Sequence, residues 1–272
     1  MSLPRLEGWQ DHPTRDALHQ AMQVLRSARK AGAARQPNYL HLATLPERRG
    51  ASSGHLSLGG SLHLDYARAA LTWHVDGVEH FSVDLAGRSQ RTLFETVFTQ
   101  LRDLGHENLA PDMAKVTRDE PLEVERGPAE AYAEAQWRMF EALARMKAHL
   151  LGHQTPLVVW PHGFDLATLW FAHGKDEERD PHLSVGFSPG TPDIGEPYVY
   201  AYAWPAVDGL AAHLPAPFEW VATWSTPGSV LRWSRIRSER DPVAYVAEML
   251  VAIYRTTAPE LRRTSIATQE QA

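Results

Sequence analysis

The chain has 272 residues, 43% of them hydrophobic and 22% charged, which is an ordinary globular composition and enough sequence for one large or two smaller domains. A formal net charge of -6 argues against a nucleic-acid partner, and the lack of cysteine excludes disulfides, thiolate catalysis and thiolate metal sites. Because no apolar run reaches transmembrane length and the first residues lack an apolar signal core, we expect a soluble, cytoplasmic protein without a membrane partner.

The first half of the chain predicts a helix, a meander of strands and a second helix. The first helix ends at Gly32, a residue typical of helix C-termini. Alternating apolar and polar residues predict strands, the first over residues 39–45 and the last ending at Leu85. Ser89 is typical of an N-cap, so the second helix is expected to begin there.

The dipeptide Asp76-Gly77 predicts a β-hairpin between the last two of these strands. Burial should decide its register, because a shift of one residue turns the apolar side chains to the opposite sheet face. A three-residue loop over residues 75–77 would pair Leu71 with Phe81 and keep the apolar residues of both strands together. We therefore expect the three-residue loop.

The second half repeats this order of elements. A long helix is expected from Pro128 to about Leu151, because apolar residues recur there at helical spacing. Short apolar and alternating runs then predict strands between Leu157 and Ile236. Asp241 is an N-cap followed by a first-turn proline, so a last helix begins there.

Two segments of the chain match each other in order. Residues 37–50 and 161–174 share a proline, the run Leu-Ala-Thr-Leu and a closing glycine at the same offsets. Further matches follow in the same sequence, up to a Thr-Trp pair that ends at Trp73 in one copy and at Trp224 in the other. A fixed order of matches indicates a tandem duplication.

The sequence therefore predicts an α+β fold: a tandem duplication of a helix, antiparallel β-meander and helix unit, packed as a pseudo-two-fold. The two copies should superpose strand for strand, with Leu42 on Leu166 and Trp73 on Trp224. The predicted parts are a first unit at residues 1–110, a connector at 111–127, a second unit at 128–260 and a C-terminal tail at 261–272.

Residues 158–171, 182–190 and 196–205 carry a resemblance to a known family. They contain a Trp, a short turn, Phe-Asp-Leu-Ala, a glycine-rich segment and a Tyr-Ala-Tyr strand that ends in proline. This pattern resembles an uncharacterised bacterial family known only as a domain of unknown function. The resemblance implies no activity, since that family has none assigned. The matching positions, outside a variable turn at His162-Gly163, are Trp160, Phe164, Asp165, Leu166, Tyr200 and Tyr202.

Asp165 is the leading candidate for a functional residue, because the two copies differ in chemistry there and the first copy has His41. Its apolar neighbours Phe164 and Leu166 suggest partial burial, and a buried carboxylate must be paired or hydrogen-bonded. One interpretation is a ligand anchor or general base. The other, which the pattern favours, is a structural carboxylate that accepts hydrogen bonds from the turn at residues 161–163.

A stripe of aromatic residues is the second candidate. Tyr198, Tyr200, Tyr202 and Trp204 alternate with small residues, so they share one face of a strand. Tyrosine hydroxyls need partners, which leaves a core, a polar-tipped pocket and a wet interface as alternatives. We predict that Asp165, Tyr200 and Tyr202 border one cavity, with Trp160 or Trp204 as a wall. His162, in the turn that precedes Asp165, completes the candidate set.

Metal and cofactor sites are not expected, since the histidines show no ligand spacing. A weaker alternative is a metal site in which His41, His55 and His182 meet Asp165 across the proposed symmetry axis.

His63 and Asp65 share one face of a predicted strand. They form either an acid–base pair or the solvent side of the sheet, and the second interpretation is the more usual one.

Two functions remain from the residues alone. The first is a small-molecule-binding protein or enzyme with an aromatic pocket in the second unit. The second is a non-enzymatic interaction module that offers the aromatic sheet face to a protein partner. The oligomeric state stays open.

Overall fold

The computed structural model describes residues 3–106, 109–116, 118–207 and 209–269, which form antiparallel sheets and five α-helices. This confirms the predicted α+β class. The chain divides into two compact units. The N-terminal unit comprises Arg5–Trp137 and Val158–Phe164, and the C-terminal unit comprises Met1–Pro4, Arg138–Leu157 and Asp165–Ala272.

The N-terminal unit is built on a five-stranded antiparallel sheet. Its elements are α1 (Pro13–Gly32), β1 (Leu45–Glu47), β2 (Gly50–Ser52), β3 (Ser61–Asp65), β4 (Ala70–Val75), β5 (Val78–Asp84), α2 (Gln90–Asp103) and β6 (Val158–Trp160). Strands β1 to β5 follow one another across the sheet in chain order. Helix α1 contacts β3 and α2 contacts β5, so the apolar face, with Leu62 and Trp73 fully buried, forms the core of this unit.

Side chains at the helix ends explain where α1 and α2 begin. Pro13 opens α1, and the backbone N–H of Thr14 donates to the ring of His12 at 3.2 Å. Ser89 caps α2 as predicted, because its side chain accepts from the backbone N–H of Thr92. Helix α3 (Arg126–Lys147) begins in the N-terminal unit and continues into the C-terminal unit.

In the β4–β5 hairpin, the apolar residues of both strands share one sheet face as predicted, but the loop is shorter than predicted. Asp76 and Gly77 form a two-residue turn, with φ values of 51° and 78°. A β-bulge after Trp73 then shifts the register, so that Trp73 lies opposite Phe81 and the remaining apolar residues stay on the core face. The three-residue loop is therefore wrong, because the bulge supplies the extra residue that burial requires.

The predicted strand over residues 39–45 is also wrong, since β1 begins only at its last residue. Asn38 and Tyr39 each have a φ of 52°, which is incompatible with a strand. The buried guanidinium of Arg29 donates to the carbonyl oxygen of Leu40 at 2.9 Å. A loop conformation is stable here because the Arg29 side chain, rather than a neighbouring strand, donates a hydrogen bond to its backbone carbonyl oxygen.

The C-terminal unit is built on a second antiparallel sheet. Its main elements are β7 (Asp165–Phe171), β8 (His182–Ser188), β9 (Tyr198–Trp204), β10 (Glu219–Val221), β11 (Gly228–Arg232), α4 (Trp233–Arg237) and α5 (Pro242–Gln269). These strands lie in the order β10-β11-β9-β8-β7. Helix α5 contacts β8 and β9, and the rings of Trp170 and Tyr254 meet edge to face at 4.9 Å on that side of the sheet.

Two predictions for the end of the chain need correction. Residues 233–236 form α4 rather than the end of a strand. The predicted tail is helical, because α5 continues through Gln269 and buries Leu261 completely; residues 270–272 lie outside the described part of the chain. The predicted cap at Asp241 is confirmed, since its carboxylate accepts from the backbone N–H of Ala244 at 3.1 Å.

The strand-for-strand match between the two predicted copies is wrong. Leu42 lies in a turn, whereas Leu166 lies within β7. Trp73 lies in β4, whereas Trp224 lies in the bend between β10 and β11. The strand orders differ as well, because β11 lies between β9 and β10. The matching letters therefore do not mark equivalent backbone positions.

None of the helices in the described ranges carries a stretch that is both long and apolar enough to cross a lipid bilayer.

Candidate functional site

Strands β7, β8 and β9 place the aromatic stripe over a row of small residues. Tyr198 lies opposite Ser188, Tyr200 opposite Gly186 and Tyr202 opposite Ser184. Residues directly opposite in antiparallel strands share a sheet face. The tyrosine rings therefore have room to lie across β8, towards the strand that begins at Asp165. The residues of this surface, here called the tyrosine face, are Asp165, Ser184, Gly186, Ser188, Tyr198, Tyr200, Tyr202 and Trp204.

Gly186 makes the central contact possible. A Cβ atom at this position would lie 2.5 Å from Tyr200 Oη and 2.6 Å from the carbonyl oxygen of Leu166. With no side chain in the way, Tyr200 reaches over β8, and its hydroxyl donates to Asp165 Oδ2 at 2.5 Å. The short distance is typical of a charge-assisted bond from a hydroxyl to a carboxylate.

The other two tyrosines also face small polar residues. The Tyr198 hydroxyl lies 3.2 Å from Thr191 Oγ1, and Tyr202 lies directly opposite Ser184 on β8. Each tyrosine thus has a small polar residue or a carboxylate beside it within the same unit. Such pairing explains how three tyrosines can be buried or partly buried side by side on one strand.

The electrostatics keep Tyr200 as a hydrogen-bond donor. Burial raises the pKa of Tyr200 well above its ordinary value, and the negative charge of Asp165 raises it further. Burial also raises the pKa of Tyr202. Both hydroxyls are therefore protonated at physiological pH, and Tyr200 donates to Asp165 throughout that range.

The tyrosine face is filled at one end and more open at the other. Tyr198 and Tyr200 are only 4% and 9% exposed. Tyr202 and Trp204 are partly exposed, and the Tyr202 ring is stacked on Tyr200 with 6.1 Å between ring centroids. Asp165 is also partly exposed. A carboxylate and aromatic rings thus remain accessible in the same unit.

The turn before Asp165 is held by α1 of the N-terminal unit. The carbonyl oxygen of Pro161 accepts from Gln23 and from His19 Nε2, the latter at 2.9 Å. Phe164, at the end of the turn, is fully buried with a left-handed φ of 56°. The turn is thus held in part by side chains of α1, and the bond from Tyr200 places Asp165 in the tyrosine face; the structural interpretation of Asp165 stays a prediction.

The remaining candidates are divided between the units. Trp160 and His162 belong to the N-terminal unit, where their ring centroids are 5.7 Å apart. Trp204 belongs to the tyrosine face and is stacked on His182 at 5.6 Å. A shared cavity bordered by Asp165, Tyr200 and Tyr202 stays a prediction.

The alternative metal site has no geometric support. The buried ring of His182 directs Nδ1 to the carbonyl oxygen of Asp180 at 2.9 Å, and burial lowers its pKa. His55 is exposed, and the ring nitrogen of His41 lies 3.5 Å from the backbone N–H of Gln36. Among the residues that the structure describes, no three His, Asp or Glu side chains are grouped to hold a metal ion.

Sequence reasoning predicted the strand beside the tyrosine stripe but missed the row of small residues on it that faces the tyrosines. The signal was present, because small residues alternate with apolar ones in β8 just as tyrosines alternate with small residues in β9. His63 and Asp65 do not pair with each other, since His63 contacts Glu47 and Ser61, while Asp65 pairs with Arg49 at 3.1 Å.

The family model described as a family of unknown function (DUF5996) matches residues 3–263. This match confirms the expectation of an uncharacterised family. No curated protein and no solved structure matches the chain.

Proposed function

We propose that this chain, which belongs to the family of unknown function DUF5996, binds a small organic molecule with an ammonium group at Asp165 of the C-terminal unit. The observation that carries the proposal is the 2.5 Å hydrogen bond from Tyr200 Oη to Asp165 Oδ2. It fixes the orientation of the carboxylate before a ligand arrives, which reduces the entropy lost on binding.

A carboxylate beside aromatic rings favours a cation over an anion. The ring of Tyr202 is partly exposed and lies beside Tyr200, and its face attracts positive charge through its quadrupole. An ammonium group attached to a flat apolar body satisfies both the carboxylate and the rings.

A protein partner is the second candidate. Partly exposed Tyr and Trp side chains are enriched in protein interfaces, and Tyr202 and Trp204 fit that description. A protein interface formed by these rings would depend on the apolar surface that they bury rather than on the charge of Asp165. Removing that charge therefore separates the two functions experimentally.

Isothermal titration with benzylamine and with its neutral analogue benzyl alcohol tests the proposal. We expect benzylamine to bind with a Kd on the order of 0.1–1 mM, as is reasonable for so few ligand atoms, and benzyl alcohol to bind at least about tenfold more weakly. Asp165→Asn should abolish this difference. The matched control is Asp193→Asn, since Asp193 also accepts from an aromatic donor, Trp224 Nε1, at 3.0 Å but lies outside the tyrosine face.

Equal binding of the two compounds, or a loss of binding in the Asp193 control as large as in Asp165→Asn, would refute the ammonium site. Binding of neither compound, together with capture of a defined protein partner that is lost on Tyr202→Ala but not on Asp165→Asn, would support the interaction module.

We retain two further proposals from the sequence. A tandem duplication is supported by the shared plan of a leading helix, an antiparallel sheet and a closing helix, although not by the alignment of residues. A cytoplasmic location is supported by the lack of cysteine.

A further inference from the structure

The polar face of the N-terminal sheet contains three side chains hydrogen-bonded in series. Ser61 Oγ lies 2.7 Å from His63 Nε2, and His63 Nδ1 lies 2.9 Å from Glu47 Oε2. Ser61 and His63 are two residues apart on β3, so they share a sheet face, and Glu47 reaches them from β1. All three belong to the N-terminal unit, whereas Asp165 belongs to the C-terminal unit.

The protonation of Glu47 determines which nitrogen of His63 carries the proton. Burial raises the pKa of Glu47, but the hydrogen bonds from His63 and Ser52 outweigh this effect and bring the pKa below its ordinary value. Glu47 is therefore ionised at neutral pH and accepts the proton on His63 Nδ1. The lone pair of a neutral ring is then on Nε2, which accepts the hydroxyl proton of Ser61.

A second imidazole flanks the series. The ring centroid of His74 lies 4.5 Å from that of His63, and His74 Nε2 lies 3.0 Å from Thr72 Oγ1. Burial and the neighbouring His63 lower the pKa of His74, so His74 is neutral at pH 7. This neighbour packs against His63 and limits the orientations that its ring can adopt.

His63 and Glu47 are accessible to a small molecule, and Ser61 is partly exposed beside His63. The side chain of His63 is 24% exposed and that of Glu47 is 40% exposed. Both line an open cavity of about 310 Å³, together with His74 and Arg48. The volume lies at the lower end of the range for ligand pockets and suits a small substrate.

We propose that Ser61 is a nucleophile, with His63 as its general base and Glu47 as the residue that orients His63. The chain Ser Oγ, His Nε2, His Nδ1, carboxylate has the connectivity of a serine hydrolase triad, which is recognised by geometry and not by position in the sequence. The substrate class is a small carboxylic ester. This inference does not depend on the proposed amine site.

The reaction balances with water as the second substrate. Ser61 Oγ attacks the ester carbonyl carbon while His63 Nε2 takes the hydroxyl proton, and the alcohol leaves with that proton as the C–O bond breaks. Water then attacks the acyl-serine, His63 takes a proton from it, and the carboxylic acid is released as the Ser61 hydroxyl is restored.

Labelling with a fluorophosphonate tests this assignment without a known substrate. Ser61 Oγ would displace fluoride from phosphorus while its proton passes to His63 and then to solvent. We expect one phosphonyl group per folded chain, located on Ser61 by peptide mapping, and none on unfolded protein. His63→Gln should slow labelling by about 100-fold or more, and Glu47→Gln should slow it by at least about tenfold.

The matched control is Ser82→Ala, because Ser82 lies on β5 and faces the same side of the sheet as Ser61. In this variant, Ser61 should be labelled at the wild-type rate. Peptide mapping of the wild-type protein needs no variant, so a folding defect in a variant cannot hide the result. No label on Ser61, a label distributed over several serines, or a His63→Gln variant that reacts at the wild-type rate would overturn the proposal.

Discussion

Replacing Tyr200 with Phe removes a hydroxyl that links β9 to β7. The ring still fits over Gly186, so packing is retained, but Asp165 loses a 2.5 Å hydrogen bond. Hydrogen bonds to charged groups contribute about 1.5–3 kcal/mol to stability, and Tyr200 is only 9% exposed, so little of that contribution is lost to solvent. We therefore expect Tyr200→Phe to lower the free energy of unfolding by about 1.5–3 kcal/mol.

Urea denaturation monitored by tryptophan fluorescence measures this loss, and a double-mutant cycle with Asp165→Ala isolates the bond. The matched control is Tyr202→Phe, which removes a hydroxyl on the same sheet face that lies opposite the neutral Ser184, and it should cost only about 0.5–1.5 kcal/mol. A coupling energy below about 0.5 kcal/mol between positions 165 and 200 would contradict the charge-assisted bond.

Two further predictions concern Lys147, which contacts the same sheet from the end of α3, and Gly186 within the sheet. Burial lowers the pKa of Lys147 to about 8, against 10.5 in an unfolded chain, so the unfolded chain binds more protons between these values and the free energy of unfolding should rise with pH there. Denaturation of Lys147→Met across that window should lack the rise, and equal slopes in both proteins would refute it. Gly186→Ala should lower stability by about 1–3 kcal/mol, because the added Cβ would lie 2.5 Å from Tyr200 and 2.6 Å from a backbone oxygen. Gly127→Ala, where nothing lies within 4 Å, should show no such loss in the same denaturation assay.

The sequence predicted best those elements whose signals are local. Strand β9 runs from Tyr198 to Trp204 as expected, because strict alternation leaves no other period that fits. The N-caps at Ser89 and Asp241 were also predictable, since a cap depends only on a side chain and the next helical turn.

Long-range contacts explain the failures. Apolar residues after Asn38 indicated a strand, but Arg29 reaches in from α1 to satisfy the backbone of a loop. The β4–β5 bulge satisfies the same burial requirement that the sequence analysis had assigned to a longer turn. Repeated letters suggested equivalent positions at Leu42 and Leu166, although their surroundings impose a turn on one and a strand on the other.

The candidate site was predictable in part. Asp165 and Tyr200 could be placed as neighbours in a meander, and the structure places them in a hydrogen bond. The glycine that lets the ring pass over β8 could not be recognised without the register of that strand. The relay from Ser61 through His63 to Glu47 escaped notice because Glu47 lies on a separate strand, and only the order of strands brings it to His63.

The most direct test of the amine site is a crystal structure of the wild-type protein grown with saturating benzylamine. The account predicts the ammonium nitrogen within hydrogen-bonding distance of the Asp165 carboxylate, about 2.7–3.2 Å, with the ring of the ligand against Tyr202. An amine bound elsewhere, with its nitrogen away from Asp165, or a tyrosine face without the amine at saturating concentration would contradict it.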